Sequence, residues 1–211
     1  MGSVERPDLR GPIVTVKNDA GMLTDRKPRK ALLLAEFLRS DQDGDLDLPQ
    51  DGRLRAASAS IEAALTAGKR PALQQACTRF LETAAEFYRV TATPVRVLAA
   101  RPLRSREGGW ATELFGDYHP RTRVIRVWMR TAIRKQVTSY GTFLSTLCHE
   151  FCHHLDYECF RYPDSWHTRG FYERAAALYH HSRGTPMKRL FWIAMPDGRW
   201  RIDWPRTNRG S

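Results

Sequence analysis

Thr142-Phe143-Leu144-Ser145-Thr146-Leu147-Cys148-His149-Glu150-Phe151-Cys152-His153-His154-Leu155-Asp156-Tyr157 is the stretch on which the reading of this chain turns. Phe143, Leu144, Leu147, Phe151 and Leu155 recur every three to four residues, so the segment reads as an amphipathic helix with one core-facing stripe. Inside it, His149-Glu150-Phe151-Cys152-His153 spells H-E-x-x-H. Residues four apart share a helix face, so both imidazoles can address one metal ion. Glu150 falls at the edge of that face, where it can reach a metal-bound water without ligating the metal. Two His, a third ligand and a water make up a catalytic zinc site, with the Glu as general base.

The third ligand must come from elsewhere. His154 follows His153 directly and points about 100° away around the helix, so it is expected to be partly exposed or to support a ligand. His180 and His181 close the next helix, where cationic groups complement the dipole. His167 starts that helix, after a polar loop containing Pro163 that can turn the chain back over the metal. It is the first choice. Glu173 is the alternative, because it lies 20 residues beyond His153, a separation found in Glu-ligated zinc proteases resembling thermolysin. Those proteases usually carry an Asp four residues after the Glu, and here that position is Ala177. Asp156 is a candidate to orient a ligand His through its other ring nitrogen, with a surface salt bridge as the competing role. Tyr157, Tyr162 and Tyr172 are candidate oxyanion donors.

Outward from the motif, the pattern is mixed. Residues 1–28 carry Pro7, Gly11, Pro12 and Pro28 and read as a flexible basic arm. Residues 29–92 form a helical part: a short helix from Lys30 to Arg39, an Ala-rich helix over 56–67, and a stronger one from Pro71 to about Arg89. The acidic run Asp41-Gln42-Asp43-Gly44-Asp45-Leu46-Asp47 lacks the Gly and Glu positions of a calcium loop and reads as a solvated turn. Strands are expected at 94–98, 110–118 and 123–129, giving a small mixed or antiparallel sheet rich in arginine on one side. Its edge near 123–129, with Trp128 and Met129, is expected to accept an extended substrate by strand addition, with core packing the competing role. Residues 184–211 read as an aromatic, basic β-hairpin and tail around Pro196-Asp197-Gly198.

Composition bounds the function classes. The chain has 211 residues, 42% of them hydrophobic, enough to build a core. No apolar run approaches the roughly 18–20 residues of a membrane span, and Met1–Pro7 shows no signal-peptide core, so a cytoplasmic location is expected. Cys77, Cys148, Cys152 and Cys159 form no C-x-x-C pair and are read as reduced, with Cys148 and Cys152 packing the motif helix. The net charge is +11, concentrated in two places. Residues 96–135 hold ten Lys/Arg against three acids, and residues 183–211 hold seven against two. Arg121, Arg123, Arg126, Arg130, Arg199 and Arg201 are therefore candidates to contact DNA or another polyanion.

H-E-x-x-H followed by His167-Thr168-Arg169-Gly170-Phe171 resembles the SprT-like (Spartan-type) zinc metalloproteases, in which H-x-x-x-F opens the helix after the motif helix. The resemblance covers roughly residues 71–181. It implies an α+β, zincin-like metalloprotease core over 93–183, with the sheet packed on the motif helix. It also implies one Zn²⁺ per chain on His149, His153 and His167, Glu150 as general base, and a protein substrate that some relatives meet on DNA. The competing classes are a nucleic-acid-binding module that holds zinc without proteolysis, and a toxin-like or mobile-element protease with a single target.

Overall fold

The computed structural model describes residues 13–17, 22–105 and 111–210. Ser139 caps the motif helix by accepting a hydrogen bond from the Thr142 amide at 3.3 Å, which satisfies one of the orphan donors of its first turn. From there α4 runs Tyr140–Glu158. Phe143, Leu144, Leu147, Phe151 and Leu155 are each at most 1% exposed, so the periodic stripe is the face that meets the core.

That face lies against a sheet. Its strands are β1 (Ile13–Lys17), β2 (Val95–Ala100), β3 (Leu103–Ser105), β4 (Ala111–His119) and β5 (Val124–Arg130). The order is β1-β4-β5-β2, with β3 also on β4. Only β2 and β5 run parallel; the remaining pairs are antiparallel. Val95 pairs with Ile125 and Val97 with Val127, and all four are buried, because residues two apart on a strand share one face. The opposite face sets Arg96 beside Arg126. Asp117, cross-strand from Arg126 on β4, relieves that repulsion by accepting from Arg126 Nε at 2.7 Å.

Helices α1 (Ala31–Gln42), α2 (Arg53–Thr66) and α3 (Arg70–Tyr88) precede the sheet. Leu54 and Ile61 of α2 and Leu73, Phe80 and Leu81 of α3 join the α4 stripe in one core. After α4 come α5 (Arg169–Arg183), the hairpin β6 (Trp192–Ala194) and β7 (Trp200–Ile202), and α6 (Trp204–Arg209). Among the described residues the fold is thus mixed α+β, with six helices and two small sheets. No described helix is long and apolar enough to cross a membrane.

Several expectations change. The stretch at 13–17, expected in the arm, is strand β1 on β4. Residues 1–12 and 18–21 of that arm lie outside the described residues. Residues 123–129 offer no edge for strand addition, since β5 is held between β4 and β2, and Trp128 and Met129 are buried. The acidic run is solvated only in part: Gln42, Asp45 and Asp47 are exposed, but two of its carboxylates are engaged. Asp41 is 8% exposed and accepts from the Arg169 amide at 2.9 Å and Arg169 Nε at 3.1 Å. Asp43 accepts from the Tyr162 hydroxyl at 2.8 Å. These carboxylates dock the end of α1 on the start of α5.

Gly170 makes that docking geometrically feasible. A Cβ there would lie 2.2 Å from the Ser40 carbonyl oxygen and 2.6 Å from that of Asp43, and backbone atoms cannot move aside as a side chain can. Gly170→Ala is expected to lower stability by about 1–3 kcal/mol through overpacking, read as a shift of the denaturant midpoint at unchanged slope.

Candidate metal centre

One helical turn separates His149 from His153, and both imidazoles leave α4 on the side that faces the start of α5. Their ring centroids are 4.9 Å apart. The chain then turns at Arg161, which adopts a left-handed φ of 57°, and returns through Ser165 to His167. Thr168 ends the loop as the N-cap of α5, its hydroxyl accepting from the Phe171 amide at 3.1 Å. His167 is thereby held beside the two helical histidines, with its Nε2 3.0 Å from that of His149. One ligand nitrogen from each of the three residues lies within 4.8 Å of the other two. A tetrahedral zinc with Zn–N of about 2.0–2.1 Å sets its nitrogens about 3.4 Å apart, so the cluster is of the right scale.

Hydrogen bonds decide which nitrogen carries the proton. Ser165 Oγ donates to Asp156 Oδ2 at 2.7 Å, which uses its only proton. His153 Nδ1, 2.7 Å from Ser165 Oγ, must therefore be the donor of that second bond. The lone pair of His153 is then on Nε2, which is buried and finds no hydrogen-bond partner among the described residues. A buried acceptor aimed into a cluster of imidazoles is what a metal would satisfy. His167 Nδ1 lies 3.3 Å from Asp25 Oδ2, and a carboxylate only accepts, so Nδ1 is the protonated nitrogen and Nε2 is the one turned to the cluster. Burial pushes the Asp25 carboxyl up, but its hydrogen bonds and attraction to His167 outweigh this, leaving it below its ordinary value. Burial, followed by the charges of His167 and His149, holds His153 well below the usual imidazole range, and so neutral.

Asp156 reaches its ligand histidine through Ser165. It is 0% exposed, and Arg174 Nη2 donates to its other oxygen at 2.9 Å. Burial raises its carboxyl to about 6 against the pull of Arg174 and Ser165, so it is still ionised at pH 7.

Glu150 is fully buried under β4. A Cβ on Gly116 would lie 2.7 Å from Glu150 Oε1 and 2.6 Å from Thr146 Cγ2, so the strand's glycine makes room for the carboxylate. Phe171, 0% exposed, lies against all three imidazoles, with ring centroids 4.5 Å from His153, 4.9 Å from His149 and 5.2 Å from His167.

The other candidates lie elsewhere. Glu173 is apart from the cluster, accepting from Trp192 Nε1 at 3.3 Å and packing against Gly44. Tyr172 faces the site with its ring, but its hydroxyl donates to the Leu23 carbonyl at 2.9 Å, so that proton is taken as far as an oxyanion is concerned. Tyr162 donates to Asp43. His154 is fully buried instead of partly exposed, bonded by Nδ1 to the Tyr118 hydroxyl at 3.0 Å and by Nε2 to the Thr91 carbonyl at 2.8 Å. Among the arginines, Arg126 pairs with Asp117, Arg123 with Glu158 and Arg199 with Asp197. Arg130 donates to the Lys135 carbonyl, Arg121 is exposed in the β4–β5 turn, and Arg201 is half-buried in β7. Cys148 and Cys152 are buried in the core, and burial raises both thiols.

Asp25, Ser165, Arg174 and Gly116 pack on or bond to the cluster, its glutamate or Asp156, and sequence reasoning missed them. Only Gly116, a glycine inside a strand pattern, carried a signal, that of a close approach by a neighbour. If Asp25 and Ser165 hold the imidazoles in place, Asp25→Ala and Ser165→Ala will each lower metal affinity by about 10–100-fold in competition with a chromophoric chelator. Glu173→Ala will leave that affinity unchanged. No family model matches the chain, and neither a curated protein nor a solved structure matches it.

Proposed function

We propose that this chain is a zinc-dependent peptidase of the SprT-like type, with a zincin-like core made of α4, the sheet behind it and the start of α5. The observation that carries the reading is the convergence of three imidazoles, with a buried glutamate directly after the first of them. Three His ligands leave a fourth position open, as catalytic zinc sites do, whereas structural sites are closed by a fourth protein ligand. Imidazole donors suit zinc as well as copper, iron and nickel, and the glutamate placed to act as base favours zinc among them. Zinc held there would supply a Lewis acid for the scissile carbonyl and lower the pKa of water toward about 7.

The remaining work falls to the chain. Glu150 takes the proton from the attacking water and delivers it to the amine nitrogen as the peptide bond breaks. Gly116 lets that carboxylate sit beneath β4, close to His149 and shielded from bulk water. Asp25 and Ser165 keep both Nδ1 protons in place, so the ligand lone pairs stay on Nε2. Phe171 keeps water from the far side of the imidazoles. Thr168, which stands where SprT-like proteases usually have glycine, serves as the N-cap of α5 and places His167 immediately before that cap.

Metal analysis of the purified protein is expected to give about one zinc per chain. Glu150→Gln should retain that zinc and lower peptide hydrolysis by about 10²–10⁴-fold. A folded chain that takes up no zinc, or a Gln variant as active as the parent, would overturn the reading.

A further inference from the structure

Beside His149 lies a second feature that the metal centre does not use. A cavity of about 100 Å³ opens between α4, α5 and the β6–β7 hairpin, with His149 in its wall. The rest of the wall is mainly carbon: Tyr172, Ala176, Tyr179, Leu190, Ile202 and Trp204. Tyr172, Leu190 and Ile202 are at most 8% exposed, whereas Trp204 is 39% exposed and stands at the mouth.

Ser145 and Lys188 also line the cavity, but most of the polar groups around it have a partner. The Tyr172 hydroxyl donates to Leu23, Lys188 donates to Asn208 at 3.0 Å, and the Tyr179 hydroxyl accepts from Arg183. His180 Nδ1 is 2.8 Å from the Thr185 hydroxyl, and Thr207 Oγ1 accepts from the Phe191 amide at 3.1 Å. A polar or charged guest would lose its water and find few partners, which is costly. An apolar guest loses nothing. The volume also discriminates, because an apolar cavity of roughly 150 Å³ takes a benzene ring, and this one is smaller.

We infer that this cavity is the specificity pocket of the peptidase proposed above, and that it receives a branched aliphatic side chain, of leucine size, next to the scissile bond. The inference rests on that peptidase reading for the identity of its guest. Continuity is the decisive point: one wall of the pocket is the candidate ligand His149, so a side chain seated in it lies one or two bonds from a carbonyl at the cluster. The hairpin and α6, which lie outside the H-E-x-x-H and His167-x-x-x-Phe171 segments, would thus select the substrate.

The test uses peptides that differ only at the residues flanking the cleaved bond, with Leu, Ala, Asp or Trp at each, incubated with the zinc-loaded full chain. Leucine on one side should raise kcat/KM at least about tenfold over alanine, since each methylene in an apolar pocket is worth about 10–200-fold, with aspartate and tryptophan poorer still. Ala176→Phe, which fills the cavity, should erase the leucine preference while zinc content persists. Trp204→Ala, at the exposed mouth, should admit tryptophan. Equal rates for leucine and aspartate, or a preference untouched by Ala176→Phe, overturn the pocket but leave the peptidase standing. If no peptide is cleaved, binding to the Glu150→Gln protein decides by calorimetry. A leucine preference lost in the Ala176→Phe background upholds the pocket while the peptidase reading falls, and no preference overturns it.

Discussion

The pairing of Asp156 with Arg174 is the constraint from which the site follows. Both side chains are essentially removed from water, at 0% and 1% exposure. Taking two charges out of water costs several kcal/mol each unless geometry and further hydrogen bonds compensate. The chain meets that demand with four segments. Arg174 comes from the first turns of α5, donates to the Asp43 carbonyl after α1, and lies 4.7 Å from the Phe160 ring centroid. Asp156 comes from the last turn of α4, and its second oxygen is bonded by Ser165 from the intervening loop. Ser165, once committed to Asp156, can only accept from His153. The orientation of an imidazole in the cluster is thus a by-product of neutralising a buried charge.

The imidazoles are also kept dry. Phe171 underlies all three, and burial together with neighbouring histidines keeps His153 well below its ordinary value. Protons compete with metal ions for imidazole lone pairs, so a depressed histidine keeps its lone pair available further into the acid range. The thiols nearest the motif are withheld by the same burial that makes them good core residues. Imidazole alone therefore defines the chemistry of the cluster.

Much of this was legible in the sequence because it is local. The α4 stripe, the H-E-x-x-H turn, the start of α5 and the strands β2, β4 and β5 all follow from periodicity within a dozen residues. What was not legible depends on partners far along the chain. Asp41 reads as solvated until Arg169 is brought to it from 128 positions away. Residues 123–129 read as an edge until β2 is found on one side of them and β4 on the other. Arg174 carries no signal in the sequence, although among the described residues it is the largest fully buried side chain. The short elements β1, β3 and α6 carry too few residues for any period to stand out.

The segment from Met22 to Asp25 joins more than it contains. Thr24 pairs with Trp200, 176 positions away, while Asp25 accepts from the His167 amide, 142 positions away. Closing loops of this length costs entropy that the contacts must offset, so the orientation of His167 depends on a partner 142 positions away in the chain. Linkage makes the dependence mutual. Whatever factor the docked segment adds to the affinity of the cluster for a cation, the cation adds to the docking of the segment. The cluster is in that sense a clasp, and an ion held by it would bind the beginning of the fold to its end.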